Sequence, residues 1–237
     1  MITLLVPAYN EEAIIEQLVT TLYDTVQLDE EYELLVVNDG SSDRTAELLS
    51  AMQQRYPSLH VVHHPENLGL GRALRTGFHA ACGRIIVTMD ADLTHPPTLI
   101  APLVKACDVD FVVASRYAHG GGMANVPFWR VLLSRMANWG FQCLFLTRLR
   151  DITAGFKAYK AESVRQIDIA ARGFEVQLEI TIRLLKQGAT FKELPYVLKN
   201  REVGTSKMRY LKLLPVYFAT LFALFRYRWG LGKTKYG

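Results

Sequence analysis

Short apolar runs and amphipathic segments alternate along the first ninety residues of the chain. The runs ITLLVP and YELLVVND, at residues 2–7 and 32–39, are rich in aliphatic side chains and stop at polar or turn residues, as buried parallel strands do. Residues 11–26 between them carry apolar side chains at helical spacing, and Asn10 is placed to cap that helix. The pattern predicts a strand–helix–strand unit.

The same alternation continues as far as residue 90. A helix capped by Ser42 is predicted at residues 42–56, followed by a strand at 59–64, a helix at 69–82 and a strand at 83–90. Such a chain is expected to form an α/β fold, with a doubly wound, mostly parallel sheet flanked by helices. Ligands of these sheets bind beyond the carboxyl ends of the strands.

The second half of the chain is less regular. Its pattern predicts a strand at 110–117, a loop at 119–127, helices at 128–146 and 174–188, and a strand at 190–200. Neither repeats nor a linker are apparent. We therefore expect one large domain over residues 1–208 and a C-terminal helical appendage over residues 209–237.

The C-terminal appendage has an uninterrupted apolar stretch at residues 213–225. This stretch is shorter than the roughly 20 residues that span a bilayer. Basic and aromatic residues flank it, which favours an amphipathic helix lying in a membrane interface. The alternative is a helix that packs on the core.

Composition narrows the class of partner. The chain has 237 residues, half of them hydrophobic, and a net charge of +4, which is too small to indicate nucleic acid. Basic residues become denser after Arg116, which suits anionic substrates or an anionic membrane surface. Three cysteines without metal-like spacing and a start without a signal-peptide pattern predict reduced thiols in a cytoplasmic protein.

Two carboxylates one residue apart, Asp90 and Asp92, follow the predicted strand at 83–90. Like charges this close need a cation, unless one of them is protonated. Divalent ions such as Mg²⁺ or Mn²⁺ take oxygen ligands and also bind phosphate oxygens. With Asp39 at another strand end, the pattern predicts a metal-held diphosphate whose nucleoside lies in the crevice of the sheet.

Four motifs then resemble a known family. VPAYNEE, VVNDGSSDRT, NLGLGRALRTG and MDADLTHPP are similar to those of the large inverting family of nucleotide-sugar glycosyltransferases, which have the GT-A fold. Later segments, among them WRVLLSRMAN, DITAGFKAY, GFEVQLE and KELPYVLKNREVGTSK, resemble polyprenyl- (dolichyl-) phosphate mannose synthases. The resemblance covers about residues 1–210. It implies transfer of mannose from GDP-mannose to a polyprenyl phosphate, with inversion at the anomeric carbon.

The resemblance also implies roles for matching residues. The nucleotide-sugar site would comprise Pro7, Tyr9, Glu11, Asp39, Asp90, Ala91, Asp92, Arg201 and Lys207. Mg²⁺ or Mn²⁺ would be held by Asp90, Asp92 and Thr94. Thr94 stands where the family often has Gln, and its shorter side chain leaves a water molecule as the alternative ligand.

The acceptor phosphate would be bound by Arg116, Arg130 and Ser134, while Arg201 and Lys207 would close over the phosphates. The catalytic set implied is Asp92, Arg116 and Arg201. Because the acceptor's head group is an anion already ionised at neutral pH, no strong general base is expected. The enzyme would be peripheral on the cytoplasmic face of the membrane, held by its C-terminal helix or by a membrane anchor subunit.

Alternative interpretations remain at the level of sequence. Asp39 could cap the following helix, and Arg130 and Ser134, four residues apart, could be a solvated polar stripe. Gly69 and Gly71 do not complete a dinucleotide motif, because Leu74 occupies the third glycine position. At the level of function, the same fold could use UDP-glucose or another UDP-sugar, or the protein could be an inactive nucleotide-sugar-binding scaffold at a membrane.

Overall fold

The computed structural model describes residues 1–198 and the backbone of residues 210–231, with side chains from residue 219 in that last segment. Nine strands are found in these residues: β1 Ile2–Ala8, β2 Tyr32–Asn38, β3 Leu59–His63, β4 Ile85–Thr88, β5 Phe111–Ser115, β6 Gly122–Met123, β7 Lys157–Lys160, β8 Phe191–Pro195 and β9 Val197–Leu198. The helices are α1 Ile15–Thr25, α2 Thr45–Arg55, α3 Leu70–Ala80, α4 Ile100–Lys105, α5 Phe128–Phe145, α6 Ala161–Arg165, α7 Val176–Lys186 and α8 Tyr210–Trp229. A 3₁₀ turn, Pro97–Leu99, precedes α4.

Seven strands form one sheet in the order β3-β2-β1-β4-β7-β5-β8. All neighbouring pairs are parallel except those of β7, which runs antiparallel to both β4 and β5. The prediction of a mostly parallel, helix-flanked sheet is therefore confirmed. The sequence pattern missed β7, and it merged β8 and β9 into one strand.

The sheet has a hydrophobic core on each face, because successive side chains of a strand point to opposite sides. Leu5 and Leu35 lie on the face covered by α3, α6, α7 and α8, whereas Leu4 and Leu34 lie on the face covered by α1, α2 and α4. All four side chains are at most 2% exposed. Burial of both faces explains why these strands read as continuous apolar runs.

Both predicted helix caps are wrong. Helix α1 begins at Ile15, and Asn10 instead adopts a left-handed conformation (φ 52°) in which its Oδ1 accepts a hydrogen bond from the Ser42 N–H at 2.8 Å. Helix α2 begins at Thr45, whose N–H donates to Asp43 Oδ1 at 3.0 Å. The polar residues of the two loops bind each other because these loops leave neighbouring strands at the same edge of the sheet.

The C-terminal helix α8 packs on the domain through its second half. Leu224 is fully buried in the core, the Trp229 indole donates to the Leu144 carbonyl at 3.4 Å, and Lys186 Nζ donates to the Tyr227 carbonyl at 2.7 Å. Phe222, by contrast, is 64% exposed. The predicted boundary at residue 208 lies outside the described residues, and the division into two domains stays a prediction.

Candidate active site

The loops that follow β1 and β2 form one wall of the crevice at the carboxyl edge of the sheet. The Glu11 N–H donates to Thr45 Oγ1 at 2.9 Å, and the Glu12 N–H donates to Asp43 Oδ2 at 3.1 Å. These bonds join the two loops side by side. Pro7 and Tyr9, predicted to line the nucleoside site, lie at the end of β1 and just after it, and Tyr9 is 37% exposed.

Asp39 follows β2 and is almost completely buried. Its Oδ1 accepts from the Leu68 N–H at 3.0 Å and lies 2.6 Å from His64 Nδ1, while Oδ2 accepts from the Gly69 N–H at 2.8 Å. It therefore does not cap the helix that follows it. The carboxylate instead holds Leu68 and Gly69, the two residues before α3, at the end of β2, and its contact with a base or ribose stays a prediction.

His64 completes this arrangement. The sequence pattern predicts it only as the last residue of the strand at 59–64. Its Nε2 lies 2.9 Å from Thr76 Oγ1 on α3, so the imidazole connects Asp39 with that helix. A buried carboxylate that accepts several hydrogen bonds is held in one position. Asp39 and His64 thus shape the wall of the crevice.

The Asp pair lies beyond the end of β4, as predicted. Asp92 is 9% exposed, and its Oδ1 accepts hydrogen bonds from the Thr94 N–H at 3.0 Å and the Thr94 hydroxyl at 2.6 Å. Leu93 between them has a left-handed backbone (φ 56°), which is strained for a branched side chain. The strained turn points Asp92 and Thr94 at each other, and direct ligation of a metal by Thr94 stays a prediction.

Asp90 is more accessible than Asp92, with 39% of its side chain exposed. The Asp90 N–H donates to His95 Nδ1 at 3.1 Å, and the buried His95 ring stacks on Phe156 with 4.8 Å between centroids. The imidazole therefore fixes the backbone of Asp90 and leaves its carboxylate at the crevice. Ala91, between the two carboxylates, packs its methyl group into the core.

The donor set fits a divalent cation. Two carboxylates bring hard oxygen ligands to the crevice, and a Cβ on Gly155 would lie 3.5 and 3.7 Å from the two oxygens of Asp90, so the glycine leaves room beside that carboxylate. No group of three acidic, His or Cys side chains suited to a metal occurs in the described residues. Mg²⁺ sites often use one or two carboxylates and complete their shell with substrate phosphate and water, which is the arrangement expected here.

The predicted acceptor arginine, Arg116, lies just after β5 in a buried ion pair. Its Nε donates to Asp151 Oδ2 at 2.8 Å and its Nη2 donates to Asp151 Oδ1 at 2.6 Å, with a further bond from Nη2 to Thr153 Oγ1 at 3.2 Å. Burial by itself lowers the pKa of Arg116, but the hydrogen bonds and charge of Asp151 outweigh it and raise that pKa above its ordinary value. The guanidinium is a permanent, rigidly held positive charge.

Ser134 on α5 is connected to Arg116 through Tyr117. The Tyr117 hydroxyl donates to Ser134 Oγ at 2.5 Å, and the guanidinium carbons of Arg116 and Arg135 lie 5.3 and 5.9 Å from the Tyr117 ring centroid. Ser134 Oγ still has its own hydrogen to donate. Arg130 is exposed on α5, with its guanidinium 5.1 Å from the ring of Trp129. The structure thus brings two of the three predicted phosphate-binding residues together, and adds Arg135.

Tyr196 contacts residues next to both this basic group and the Asp pair: its N–H donates to the carbonyl of Ser115, the residue before Arg116, at 3.2 Å, and its ring packs edge-on against His95 with 6.2 Å between centroids. Burial raises the pKa of its phenol; the positive charge of Arg116 lowers it, and Asp151, Asp90 and Asp92 raise it further. Tyr196 therefore connects the end of β5, where Arg116 lies, with the imidazole that binds the Asp90 backbone. That the predicted donor and acceptor residues border one crevice stays a prediction. Arg201 and Lys207, predicted to close over the phosphates, lie outside the described residues.

Helix α5 carries a large exposed apolar surface that sequence analysis did not single out. Phe128, Trp129, Leu133, Met136 and Trp139 are each between 60% and 79% exposed. The helix has no acidic residue, and Arg130 and Arg135 are exposed on it. An apolar surface of this size marks an interaction site. Where the structure describes helices, none has the length and apolar character needed to cross a bilayer.

Sequence analysis missed several residues of the site. His95 and Gly155 lie beside Asp90, Gln177 lies beside Gly155, and Tyr196 packs against His95, yet they come from four separate segments. All four occur within motifs on which the resemblance rests, MDADLTHPP, DITAGFKAY, GFEVQLE and KELPYVLKNREVGTSK, but none of them carried a chemical signal of its own. Only the fold reveals how they lie around Asp90.

Comparison with known proteins gives one family. The family model described as "Glycosyl transferase family 2" matches residues 3–168. Polyprenol monophosphomannose synthase of Mycolicibacterium smegmatis is 34% identical over 213 residues, which is 86% of this chain and 79% of that protein. Undecaprenyl-phosphate mannosyltransferase of Micrococcus luteus is 36% identical over 211 residues, 86% of each chain.

A third relative is longer than this chain. Dolichol-phosphate mannosyltransferase of Pyrococcus furiosus is 34% identical over 213 residues, and the match covers 88% of this chain but 59% of that protein. Among solved structures, glucosyl-3-phosphoglycerate synthase from Mycobacterium tuberculosis in complex with Mn²⁺, UDP and its product has a TM-score of 0.68 at 23% identity, covering 98% of this chain and 81% of that chain. The same enzyme with Mg²⁺ and UDP has a TM-score of 0.69 at 22% identity, covering 98% and 80%. These neighbours establish a GT-A-like fold.

Proposed function

Because the chain belongs to glycosyl transferase family 2, we propose that it transfers mannose from GDP-mannose to the phosphate of a polyprenyl phosphate, with inversion at the anomeric carbon. Three relatives whose names state mannose transfer or mannose synthesis on polyprenyl-type phosphates, at 34–36% identity, support this choice of substrates. The observation that carries it is structural: the Tyr196 ring packs edge-on against His95, which binds the Asp90 backbone, and the Tyr196 N–H donates to the carbonyl of Ser115, the residue before Arg116. An anionic acceptor and a diphosphate donor would meet at that residue.

Asp90 and Asp92 would hold the metal, with the Thr94 hydroxyl orienting Asp92 through its 2.6 Å hydrogen bond. When bound, Mg²⁺ or Mn²⁺ would neutralise charge on the departing diphosphate. Pro7, Tyr9, Glu11, Asp39 and the backbone at Ala91 would form the nucleoside side of the crevice. Arg201 and Lys207 would add positive charge over the phosphates.

Ser134 and Arg130 would bind the acceptor phosphate, and the charge of Arg116 would attract it. A phosphate monoester is mostly dianionic at neutral pH, since its second pKa is near 6. One of its oxygens attacks C1 of the hexose; the bond from C1 to the diphosphate oxygen breaks, and the nucleoside diphosphate leaves with the electron pair. The residues would contribute charge and orientation rather than a base.

The exposed apolar surface of α5 supports a peripheral position on the membrane that contains the acceptor. Its aromatic side chains would enter the interface, and Arg130 and Arg135 would face anionic head groups. Helix α8 would lie beside it, through side chains such as the exposed Phe222. We place this contact on the cytoplasmic face, and a membrane anchor subunit covering α8 is the alternative.

The test is direct transfer. The purified chain is incubated with undecaprenyl phosphate, Mg²⁺ or Mn²⁺, and either GDP-mannose or UDP-glucose, and organic extracts are assayed for lipid-linked sugar. We expect lipid-linked mannose with GDP-mannose, and its loss with EDTA or in Asp92→Ala. Transfer with UDP-glucose alone would replace the donor assignment, and absence of transfer with both donors would overturn the proposal.

A further inference from the structure

Gln177 is a buried glutamine whose side-chain oxygen has no protein partner among the described residues. It occupies the second position of α7 and is 6% exposed. Within the part of the chain that the structure describes, no donor reaches its Oε1. Leaving a buried polar group without a hydrogen-bond partner is unfavourable, so a bound ligand is the expected partner of this oxygen.

The amide and the Asp90 carboxylate face the same small space. A Cβ built on Gly155 would lie 3.4 Å from Gln177 Nε2 and 3.5 Å from Asp90 Oδ1. Since Gly155 has no side chain, that space is left to a ligand. A molecule bound by Asp90 would therefore contact the amide.

The backbone holds both sides of this space in place. Thr88 Oγ1 at the end of β4 donates to the Gly155 carbonyl at 2.8 Å. The Gln177 carbonyl accepts from Thr181 Oγ1 at 2.8 Å and from the buried Lys157 Nζ at 3.4 Å. The first turn of α7 is thus tied to Lys157 of β7, which holds the backbone that carries the Gln177 side chain.

The chemistry of an amide suits a sugar better than a phosphate. Gln offers two N–H donors and one acceptor oxygen, which matches a pair of neighbouring hydroxyl groups. It carries no charge, so it neither attracts nor repels the diphosphate. We propose that Gln177 binds hydroxyl groups of the hexose of the nucleotide-sugar donor, which would make it a determinant of which hexose is accepted; this rests on the proposed function.

Isothermal titration calorimetry in the presence of Mn²⁺ tests the assignment. The affinity for each nucleotide sugar is compared with that for its nucleoside diphosphate: GDP-mannose with GDP, and UDP-glucose with UDP. Gln177→Met removes the amide at similar length, and Gln177→Asn withdraws it by one methylene group. Gln187→Met, at the exposed C-terminal end of the same helix, is the matched control. Thermal unfolding without nucleotide shows whether each variant is folded.

For the ligand pair that the wild type binds, we expect Gln177→Met to weaken the affinity for the nucleotide sugar about tenfold. The affinity for the nucleoside diphosphate should change by less than about twofold. The unliganded protein should lose no stability, because the amide oxygen has no protein partner to lose. An unchanged affinity for the nucleotide sugar, or an equal loss of affinity for both ligands, would overturn this inference and leave the proposed function standing. If Gln177→Met does not fold, Gln177→Asn decides by the same comparison. A wild type that binds neither nucleotide sugar would overturn the proposed function and this inference with it.

Discussion

Asp151 holds the guanidinium of Arg116 through two parallel hydrogen bonds of 2.6 and 2.8 Å, and the carboxylate is completely buried. The pair fixes a positive charge beside Tyr117 and Tyr196. Removing one partner of a buried pair leaves an uncompensated charge. The positive side of the crevice therefore depends on a residue that itself has no access to substrate.

Asp151→Asn is expected to lower the free energy of unfolding by about 3–5 kcal/mol, since Arg116 would stay buried without its counter-charge. Asp168→Asn is the control, because Asp168 is 74% exposed in its 2.9 Å pair with Arg75; it should cost less than about 1 kcal/mol. Urea denaturation of both variants measures the difference. Equal effects would mean that the Arg116–Asp151 pair is not buried as described.

Thr94→Val tests the turn at the Asp pair. The substitution keeps the shape of the side chain but removes the hydroxyl that donates to Asp92, so Mn²⁺-dependent nucleotide affinity should fall about tenfold or more. Thr94→Ser should retain affinity, and the exposed Thr98→Val is the control. The measurement is nucleotide binding across a Mn²⁺ titration. Full affinity in Thr94→Val would show that this hydroxyl does not orient Asp92.

Gly71→Ala is expected to destabilise the fold by about 2 kcal/mol or more, because the new Cβ would lie 1.9 Å from the Ala171 carbonyl oxygen. Gly140→Ala is the matched control: it is also helical and meets nothing within 4 Å, so it should gain up to about 1 kcal/mol. Thermal and urea unfolding compare the two. A neutral Gly71→Ala would contradict the close approach of α3 to residue 171.

Lys157 should make stability depend on pH. Complete burial lowers the pKa of its ammonium from 10.5 to about 7. The charge of Asp151 partly opposes this shift, and the charge of Arg116 adds to it. Between pH 7 and 10 the unfolded chain binds more protons than the folded one, so the free energy of unfolding contributed by this group rises with pH. Below pH 7 the ammonium is charged in both the folded and the unfolded chain, so the full cost of burying it lowers the free energy of unfolding.

Lys157→Met removes this titration. The stability gained by the variant over the wild type should be larger at pH 6 than at pH 9 by roughly 2–3 kcal/mol. Urea denaturation of both proteins at the two pH values provides the comparison. A pH-independent difference would mean that the ammonium is not buried in the folded protein.

Trp139→Gln combined with Leu133→Gln should weaken binding to vesicles. Both side chains are more than 60% exposed on α5 and would lose their transfer into the interface. Sedimentation with phosphatidylglycerol-containing vesicles should show at least a tenfold loss, because each substitution replaces a large apolar group. If the wild type binds these vesicles no better than vesicles of pure phosphatidylcholine, and binds both poorly, the result would contradict a basic, apolar docking surface.

Much of the site could be anticipated from local signals. The apolar runs ending at Asp39 and at Asp90 placed both carboxylates at strand ends, and the fold keeps them there. The helix caps at Asn10 and Ser42 failed because those residues instead bind each other across neighbouring loops. That partnership is set by strand order, which local propensity does not encode.

The sequence by itself determined the α/β architecture, the edge of the sheet that carries the chemistry, and the family, because hydrophobic periodicity and short motifs are local along the chain. Tertiary structure alone decided that β7 enters antiparallel between β4 and β5, and that Gly155, just before β7, lies beside Asp90 and Gln177. It also decided that Arg116 is locked to Asp151. Gly155 is 65 positions from Asp90 and Asp151 is 35 positions from Arg116, and packing rather than local preference brings these residues together.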